Sequence, residues 1–327
     1  MQVGRGGSTA AVALARRRAR RTGNWGDALF RIAFAGMGLS LLAVALLILY
    51  ELVNESRDSI SAFGWGFLTG TRWDPVHRVF GAAPAIYGTL VSSLIGLILA
   101  VPVSLGAAIF LSEMAPPWLR NPLSFLVEML AALPSVVLGL WGIYVLIPWV
   151  RDFVEKSTLG HLSFIPLFDG PPFGFGMLAA GLILAIMVLP IITAIARDVM
   201  QAVPDSQREA MLALGATRWE VIVGAVLPYC RSGLVGAVIL GLGRALGETM
   251  AVTMVIGKAY DITASLFQPA STAASTLASE FNEATYSLYV SALVELALIL
   301  MGITLLVNIL ARLLVWRVAR SPEVVAE

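Results

Sequence analysis

Apolar residues in this chain gather into long runs that are separated by shorter polar segments. Six runs reach the roughly 20 apolar residues that a helix needs to cross the hydrocarbon core of a bilayer. They cover about residues 29–53, 86–112, 122–150, 175–197, 231–257 and 288–312. Because backbone groups in lipid must bond to one another, each run is predicted to be a helix. The predicted fold class is an all-α polytopic membrane protein with six transmembrane helices.

Composition and charge support this prediction and orient the chain. Of the 327 residues, 58% are hydrophobic and 13% are charged, whereas an average soluble domain has about 25% charged residues. With both termini inside, 14 of the 22 Lys and Arg residues fall on the inner side and six on the outer side. This excess predicts an N-in, C-in topology. The basic run at 16–21 is therefore interpreted as a topology signal, rather than a secretory signal or a nucleic-acid patch.

The predicted organisation follows from the positions of these runs. A basic cytoplasmic tail (1–28) precedes the first transmembrane helix and an external loop (29–85). A core of five transmembrane helices (86–316) contains a cytoplasmic loop at 198–230, and a short tail (317–327) ends the chain. Segment 263–279, rich in Ser, Thr and Ala, is predicted to be a mobile loop. Four prolines within the spans are expected to bend or break their helices: Pro102, Pro134, Pro148 and Pro190. Such bends serve either a conformational change of the protein or the ordinary curvature of packed helices.

Residue types and spacings argue against several kinds of chemistry. Cys230 is the single cysteine and forms no intrachain disulfide, while His77 and His161 lie 84 residues apart without a flanking acidic or Cys cluster, so no metal site is expected. A phosphate-binding P-loop needs the pattern G-x-x-x-x-G-K-[ST]. Neither lysine of this chain, Lys156 or Lys258, lies in that pattern. No ATP hydrolysis and no catalytic residue are expected in this chain.

The segment "DSQREAMLALGATRWEVIVGAVLP" (205–228) is amphipathic and unusually polar for this chain. Ser206 with Glu209, and Thr217 with Glu220, have the spacing of a capping box, which predicts two helix starts. Gly215 lies where the first helix needs a residue with positive φ, and Pro228 is expected to interrupt the second helix. The segment is predicted to be a helix–turn–helix that either lies on lipid headgroups or binds a soluble partner.

The fifth span contains ionisable residues at membrane depth, where charges are costly and are candidates for function. Arg244 and Glu248 have i, i+4 spacing, so they either pair only with each other or line a translocation path. Gly243 and Gly247 form a G-x-x-x-G that allows a second transmembrane subunit to pack there. Glutamates outnumber Arg244 within the predicted spans, and a static acidic path would repel an anion. Glu128 is expected near a helix end or between subunits, and Glu295 has no assigned role. Met250 and Met254 are expected to be packing residues.

Two sets of motifs resemble a known family. "EAMLALG" with the later "LP" (209–215 and 227–228) resembles the E-A-A-x-x-x-G-x(9)-I-x-L-P loop of ABC importer permeases, with Met211 and Ala225 departing from it. Longer stretches resemble the permease subunits of the phosphate-specific transport (Pst) system, in particular the PstC type. These are "WDPV" (73–76), "IYGTLVSSL" (86–94), "LPSVVLGLWG" (133–142) and "LGLGRALGETMAVTMVIG" (240–257).

The resemblance implies a type I ABC importer permease in a bacterial inner membrane, with a coupling helix that binds an ATPase. Glu209 and Ala210 would contact that ATPase, and Gly215 would form the bend. Arg244, Glu248 and Thr249 would lie on the path of inorganic phosphate. The implied partners are a PstA-type sister permease, two PstB-type ATPase subunits that hold ATP and Mg, a PstS-type phosphate-binding protein and membrane lipid. Two alternatives stay open: another anion or an amino acid as cargo, or an ion-driven carrier that uses Arg244, Glu248 and Glu295.

Overall fold

The structure is a computed structural model that describes residues 25–158 and 165–319. The basic run at 16–21, His161 and the end of the chain from residue 320 lie outside the described residues. Regular structure in the described part is helical, and its extended pairs are two isolated bridges, Asp74–Val79 and Gly257–Ala270. The all-α prediction is confirmed.

Six helices in the described part are long and apolar enough to cross a bilayer, as predicted. They are Ala28–Glu55, Ala83–Met114, Ser135–Val154, Met177–Gln201, Arg218–Gly247 and Ser287–Leu313. The chain divides into two compact units, with the boundary between Asn54 and Glu55. The first unit contains nearly all of α1, Trp25–Glu55, which is apolar around its whole circumference. That pattern is expected of a membrane-spanning helix.

The second unit contains the remaining helices, numbered here in chain order. They are α2 (Arg57–Phe63), α3 (Gly66–Thr69), α4 (Ala83–Ile109), α5 (Pro117–Ala131), α6 (Ser135–Trp141), α7 (Ile147–Trp149), α8 (Met177–Gln201), α9 (Asp205–Ala213), α10 (Arg218–Val221), α11 (Leu227–Gly247), α12 (Met250–Val255), α13 (Ala273–Glu280) and α14 (Ser287–Ala319). Four π-helical segments continue some of these helices: Phe110–Met114, Gly142–Leu146, Val150–Thr158 and Ile222–Val226. Short 3₁₀ turns occur at Pro166–Phe168 and Phe281–Glu283.

Helices α4 and α8 form the most extensive contact of the second unit. One face of α4 carries a small, buried residue at every fourth position: Gly88, Ser92, Gly96, Ala100, Ser104 and Ala108. A Cβ on Gly96 would lie 2.9 Å from the Cβ of Leu184, and one on Gly181 would lie 2.4 Å from a methyl carbon of Ile95. Small residues let the two backbones approach closely, which is how helices associate in lipid.

The third predicted span, 122–150, is wrong at its start. Helix α5 ends at Ala131, and a new helix begins at Ser135 after an extended Pro134. Proline has no backbone N–H, and it disfavours the helical conformation in the residue before it, so the helix stops at this point. The membrane helix therefore starts at Ser135, and α5 is a separate helix that packs against α8.

The fifth predicted span, 231–257, is wrong at both ends. Helical structure begins at Arg218 and runs to Gly247, so Pro228 does not interrupt it. The π-helical segment Ile222–Val226 lies immediately before Leu227 and Pro228. Its wider turn leaves room for a proline ring that an α-helix would exclude. At the other end Glu248 is extended, with φ −71° and ψ 126°, and α12 starts two residues later.

The predicted mobile loop at 263–279 contains a buried helix instead. Helix α13 begins with a capping box between Thr272 and Ser275, whose side chains and backbone N–H groups bond reciprocally. A Cβ on Gly88 would lie 2.1 Å from the carbonyl oxygen of Ser271, so this segment is pressed against α4. Its Ser, Thr and Ala residues are small because they fill a tight interface. Composition alone indicated a loop because segments rich in small and hydroxyl-bearing residues are also common in solvent-exposed loops.

Candidate functional site

The cytoplasmic elbow, defined here as residues 205–228, has the predicted helix–turn–helix form. Helix α9 ends at Ala213, and Gly215 follows with φ +85°. The N–H of Gly215 donates to the Leu212 carbonyl at 3.0 Å, and the N–H of Ala216 donates to the Met211 carbonyl at 3.1 Å. These two bonds are the Schellman pattern, which needs a left-handed residue at the position of Gly215.

Of the two predicted capping boxes in the elbow, the second is confirmed. The Thr217 hydroxyl accepts from the Glu220 N–H, and the Glu220 carboxylate accepts from the Thr217 N–H at 2.7 Å. The first is wrong, because α9 begins at Asp205 and places Ser206 inside the helix. Pro204, in extended backbone, precedes the helix, and no side chain caps its start. Asp205 supplies a negative charge in the first turn instead, where the helix dipole favours it.

An anchoring arginine that sequence reasoning missed fixes the elbow to the rest of the unit. Arg208 Nε and Nη2 donate to the two Glu113 carboxylate oxygens at 3.1 and 2.9 Å, a bidentate pair. The same guanidinium donates to the carbonyls of Met200 and Val203 at the end of α8. The pKa of the Arg208 guanidinium is raised, chiefly by its hydrogen bonds to Glu113, although partial burial acts to lower it. Sequence separation of 95 residues hid this pair.

The solvent-facing surface of the elbow is an exposed groove with an apolar floor. A cavity of about 560 Å³ is lined by Met211, Leu214, Gly215, Ala216, Trp219, Glu220, Val223 and Gly224. Leu214 is 86% exposed and Trp219 is 63% exposed, and Glu209 and Ala210 are also exposed on α9 but do not line the groove. Large apolar side chains exposed together, with a polar rim, are typical of a protein interface.

The second candidate site is the break between α11 and α12. Arg244 Nη2 lies 3.2 Å from Glu248 Oε2, so the predicted pair is present. Glu248 stands beyond the helix end, however, and the pair therefore does not lie on one continuous helix face. Its other oxygen accepts from the Ala251 N–H at 3.4 Å, at the start of α12. Non-helical backbone at membrane depth occurs where protein covers it or where it lines a cavity.

The two charges of this pair have different surroundings. The Glu248 side chain is 4% exposed, whereas the Arg244 side chain is 46% exposed. Thr249 lies between the helices, and its hydroxyl donates to the Gly247 carbonyl at 3.3 Å. Nothing lies within 4 Å of the position that a Cβ on Gly247 would take. The break thus presents a guanidinium, a hydroxyl and an open glycine face on one short stretch of chain.

Two further acids that the sequence placed inside spans have distinct environments. Glu128 is exposed on α5, and its Oε1 accepts from Arg197 Nη2 at 3.0 Å. It therefore lies outside the membrane-spanning helices of this structure, near the end of α5. Glu295 is buried on α14, and its Oε2 has no hydrogen-bond partner among the described residues.

One helical stretch connects the elbow to the break. Residues 218–247 run through α10, the π-helical segment and α11 without leaving helical conformation. At 1.5 Å per residue, Arg218 and Arg244 are about 39 Å apart along this axis. The elbow and the break are thereby joined by continuous helical structure.

Comparison with known proteins gives a consistent result. The family model for "binding-protein-dependent transport system inner membrane component" matches residues 92–320. The phosphate transport system permease protein PstC of Haemophilus influenzae is 45% identical over 301 residues, covering 91% of this chain and 95% of that protein. The protein of the same name from Pasteurella multocida is 46% identical over 299 residues, covering 90% and 93%.

The solved structures extend this similarity to the fold. A structure of the MetNI methionine ABC transporter in an inward-facing conformation matches with a TM-score of 0.58. It covers 76% of this chain and 100% of that chain, at 18% sequence identity. At this identity the match concerns the fold alone.

Proposed function

Because this chain belongs to the family of binding-protein-dependent transport system inner membrane components, we propose that it is the permease subunit of an ATP-driven importer of inorganic phosphate. The observation that carries the proposal is the exposed elbow at 205–228, joined to the broken helix by one continuous helical stretch. Phosphate as cargo is supported by relatives of 45–46% identity that carry the name of a phosphate transport permease.

In this proposal the chain supplies the path and a separate subunit supplies the energy. ATP and Mg²⁺ are bound by two copies of an ATPase subunit on the cytoplasmic side. The groove at the elbow receives that subunit, with Glu209 and Ala210 in contact and Gly215 at the bend. Because Arg208 ties α9 to Glu113 and to the end of α8, movement of the elbow also moves these helices.

The break between α11 and α12 is the proposed contact with cargo. A guanidinium carries five N–H donors in a planar fork, and the exposed part of Arg244 offers those that Glu248 does not use. Glu248 holds the guanidinium in place, and the Thr249 hydroxyl is a further hydrogen-bonding group. A sister permease subunit packs on the open glycine face and completes the path, and an external binding protein delivers phosphate.

The alternatives differ in their chemistry. Another anion would use the same guanidinium and would change only the cargo. An ion-driven carrier would use Arg244, Glu248 and Glu295 as a relay and would not need the elbow. The exposed apolar groove of the elbow favours an importer that is driven by a soluble partner.

A reconstituted complex tests the proposal. The permease, its sister subunit and the ATPase are placed in vesicles with phosphate-loaded binding protein, and labelled phosphate uptake and ATP hydrolysis are measured together. Glu209→Lys is expected to reduce both at least tenfold, because it reverses a charge at the contact; tenfold corresponds to about 1.4 kcal/mol. Glu209→Gln, which removes the charge but keeps the shape, is expected to fall between this variant and wild type. Full coupling in Glu209→Lys would contradict the role of the elbow.

Cargo is tested with the same vesicles. Uptake of labelled phosphate that is unaffected by excess sulfate or by amino acids supports phosphate. Equal competition by another anion would replace the cargo while leaving the importer class intact.

A further inference from the structure

An aromatic pocket lies on the external side of the second unit, outside the sites described above. Three chain segments form it: the loop after α3, the segment before α13, and the stretch from the end of α13 to the start of α14. Its volume is about 550 Å³, and its lining residues are Trp73, Pro75, Val76, Arg78, Tyr260, Glu280, Glu283, Thr285, Tyr286 and Tyr289. This volume is within the range of ordinary ligand and side-chain pockets.

A buried carboxylate forms the base of the pocket. Glu280 is 9% exposed and accepts hydrogen bonds from three neutral donors: Trp73 Nε1 at 3.3 Å, the Tyr260 hydroxyl at 3.1 Å and the Tyr289 hydroxyl. Burial, together with the Glu280 charge, raises the pKa of the Tyr260 phenol, so this group remains a neutral donor at ordinary pH. No Lys, Arg or His lies within ion-pair distance of Glu280 or Glu283 in the described part of the chain.

Aromatic rings form the walls. Trp73 and Tyr260 are stacked with centroids 5.9 Å apart, and Tyr286 and Tyr289 have centroids 5.5 Å apart. The negative faces of such rings attract cations, most strongly where water is excluded. The chain already uses one ring in this way, because the Arg78 guanidinium carbon lies 5.1 Å from the centroid of Tyr286. A second carboxylate, Glu283, is exposed at the rim.

We propose that this pocket receives a lysine or arginine side chain of the external solute-binding protein and thereby anchors that protein on the permease. The inference rests on the proposed function, which requires such a partner on this face. Charge complementarity supports it, because two carboxylates line the pocket against one cation, Arg78, whose guanidinium lies over the Tyr286 ring and is not within ion-pair distance of Glu280. A buried charge that lacks an opposite charge is costly, and an entering cation removes that cost.

Binding-protein-stimulated ATP hydrolysis tests the anchor. The complete transporter is reconstituted in lipid nanodiscs, and the hydrolysis rate is measured while the concentration of phosphate-loaded binding protein is increased. Glu280→Gln and Glu283→Gln are each expected to raise the concentration needed for half-maximal stimulation about tenfold. Asp261→Asn removes an exposed external carboxylate that does not line the pocket, and it is the matched control, with an expected change below about twofold.

Glu280→Gln removes a carboxylate bonded by three donors, so its result counts only when the variant transporter assembles. Glu283→Gln and Tyr286→Leu change the rim of the pocket and keep the proposal testable without it. Half-maximal concentrations within twofold of wild type in both rim variants overturn the anchor, as does an equal increase in Asp261→Asn. If wild-type transporter shows no stimulation at any concentration of binding protein, the proposed function itself fails.

Discussion

Glu248 and Arg244 form one ion pair, but the two side chains differ in burial and therefore in the role that each can have. The carboxylate is almost completely buried and also accepts from the start of α12, so it holds the two helices in a fixed relation. The guanidinium is nearly half exposed. A buried carboxylate that loses its partner costs about 3–5 kcal/mol, whereas replacement of both charges avoids this penalty. Structural and transport roles can therefore be separated at this pair.

Arg244→Gln is expected to lower both the thermal stability of the assembled transporter and its phosphate uptake. The double variant Arg244→Gln, Glu248→Gln is expected to recover most of the stability, because no unpaired buried charge remains, but not the uptake. Thermal unfolding in detergent and labelled phosphate uptake in vesicles measure the two effects.

If the double variant also recovers uptake, the pair is a structural staple and Arg244 does not contact cargo. Arg244→Lys is the companion control. It keeps the positive charge but loses the planar fork, so we expect intermediate uptake.

Local residue patterns predicted the elbow well, and distant partners account for what they missed. The bend at Gly215 and the capping box at Thr217 depend on neighbours within five residues, and both are present. The cap predicted at Ser206 failed because the N-cap position is Pro204, two residues earlier, and the helix begins at Asp205. Arg208 and Glu280 have partners far along the chain, and no local spacing indicates such pairs.

At the scale of helices, hydropathy located the six membrane spans but not their interruptions. Pro134 stops a helix, while Pro102 and Pro190 lie inside continuous helices and Pro228 follows a π-helical segment. The same residue type thus has three outcomes, which depend on whether neighbouring turns satisfy the freed carbonyls. The four-residue spacing of small residues on α4 was a readable signal of the α4–α8 contact, and hydropathy averages conceal it.

The contact between α4 and the segment before α13 gives a prediction at this scale. Gly88→Ala is expected to lower the unfolding temperature of the purified protein by several degrees. Its Cβ would lie 2.1 Å from the Ser271 carbonyl oxygen, and overpacking of this kind costs about 1–3 kcal/mol. Gly106→Ala on the same helix meets nothing within 4 Å and serves as the control. Equal unfolding temperatures for the two variants would show that α13 is not pressed against α4.

The turn of the elbow gives a second prediction. Gly215→Ala is expected to speed amide exchange at Ala216 about fivefold to thirtyfold, because a left-handed backbone costs an alanine about 1–2 kcal/mol. Gly215→Asn should exchange more slowly than Gly215→Ala, since asparagine tolerates this conformation better. Gly236→Ala, within α11 and without neighbours inside 4 Å, is expected to leave exchange at Ala216 unchanged. Hydrogen exchange with mass spectrometry measures all three.

At the scale of the second unit, the predicted topology places the three candidate sites in sequence along the direction of transport. In that topology the aromatic pocket is external, the break between α11 and α12 is at membrane depth, and the elbow is cytoplasmic. The helical stretch Arg218–Gly247 connects the last two. Its π-helical segment Ile222–Val226 departs from α-helical geometry, and such segments occur frequently at functional sites. An ATPase subunit bound at the elbow can thus bias the conformation at the break, provided that it binds one conformation of the permease more tightly than the other.

This arrangement predicts what drives transport. Vesicles that contain the permease, its sister subunit and the ATPase should accumulate phosphate when ATP and binding protein are supplied, without any ion gradient. Vesicles that lack the ATPase but carry a proton gradient should not, because the elbow then has no partner and the two conformations receive no differential energy. Accumulation driven by the gradient alone would favour a carrier that uses Arg244, Glu248 and Glu295. In that case, Glu295→Gln should abolish uptake and Glu209→Lys should have no effect. For an importer driven through its elbow we expect the reverse, with the larger loss of uptake in Glu209→Lys.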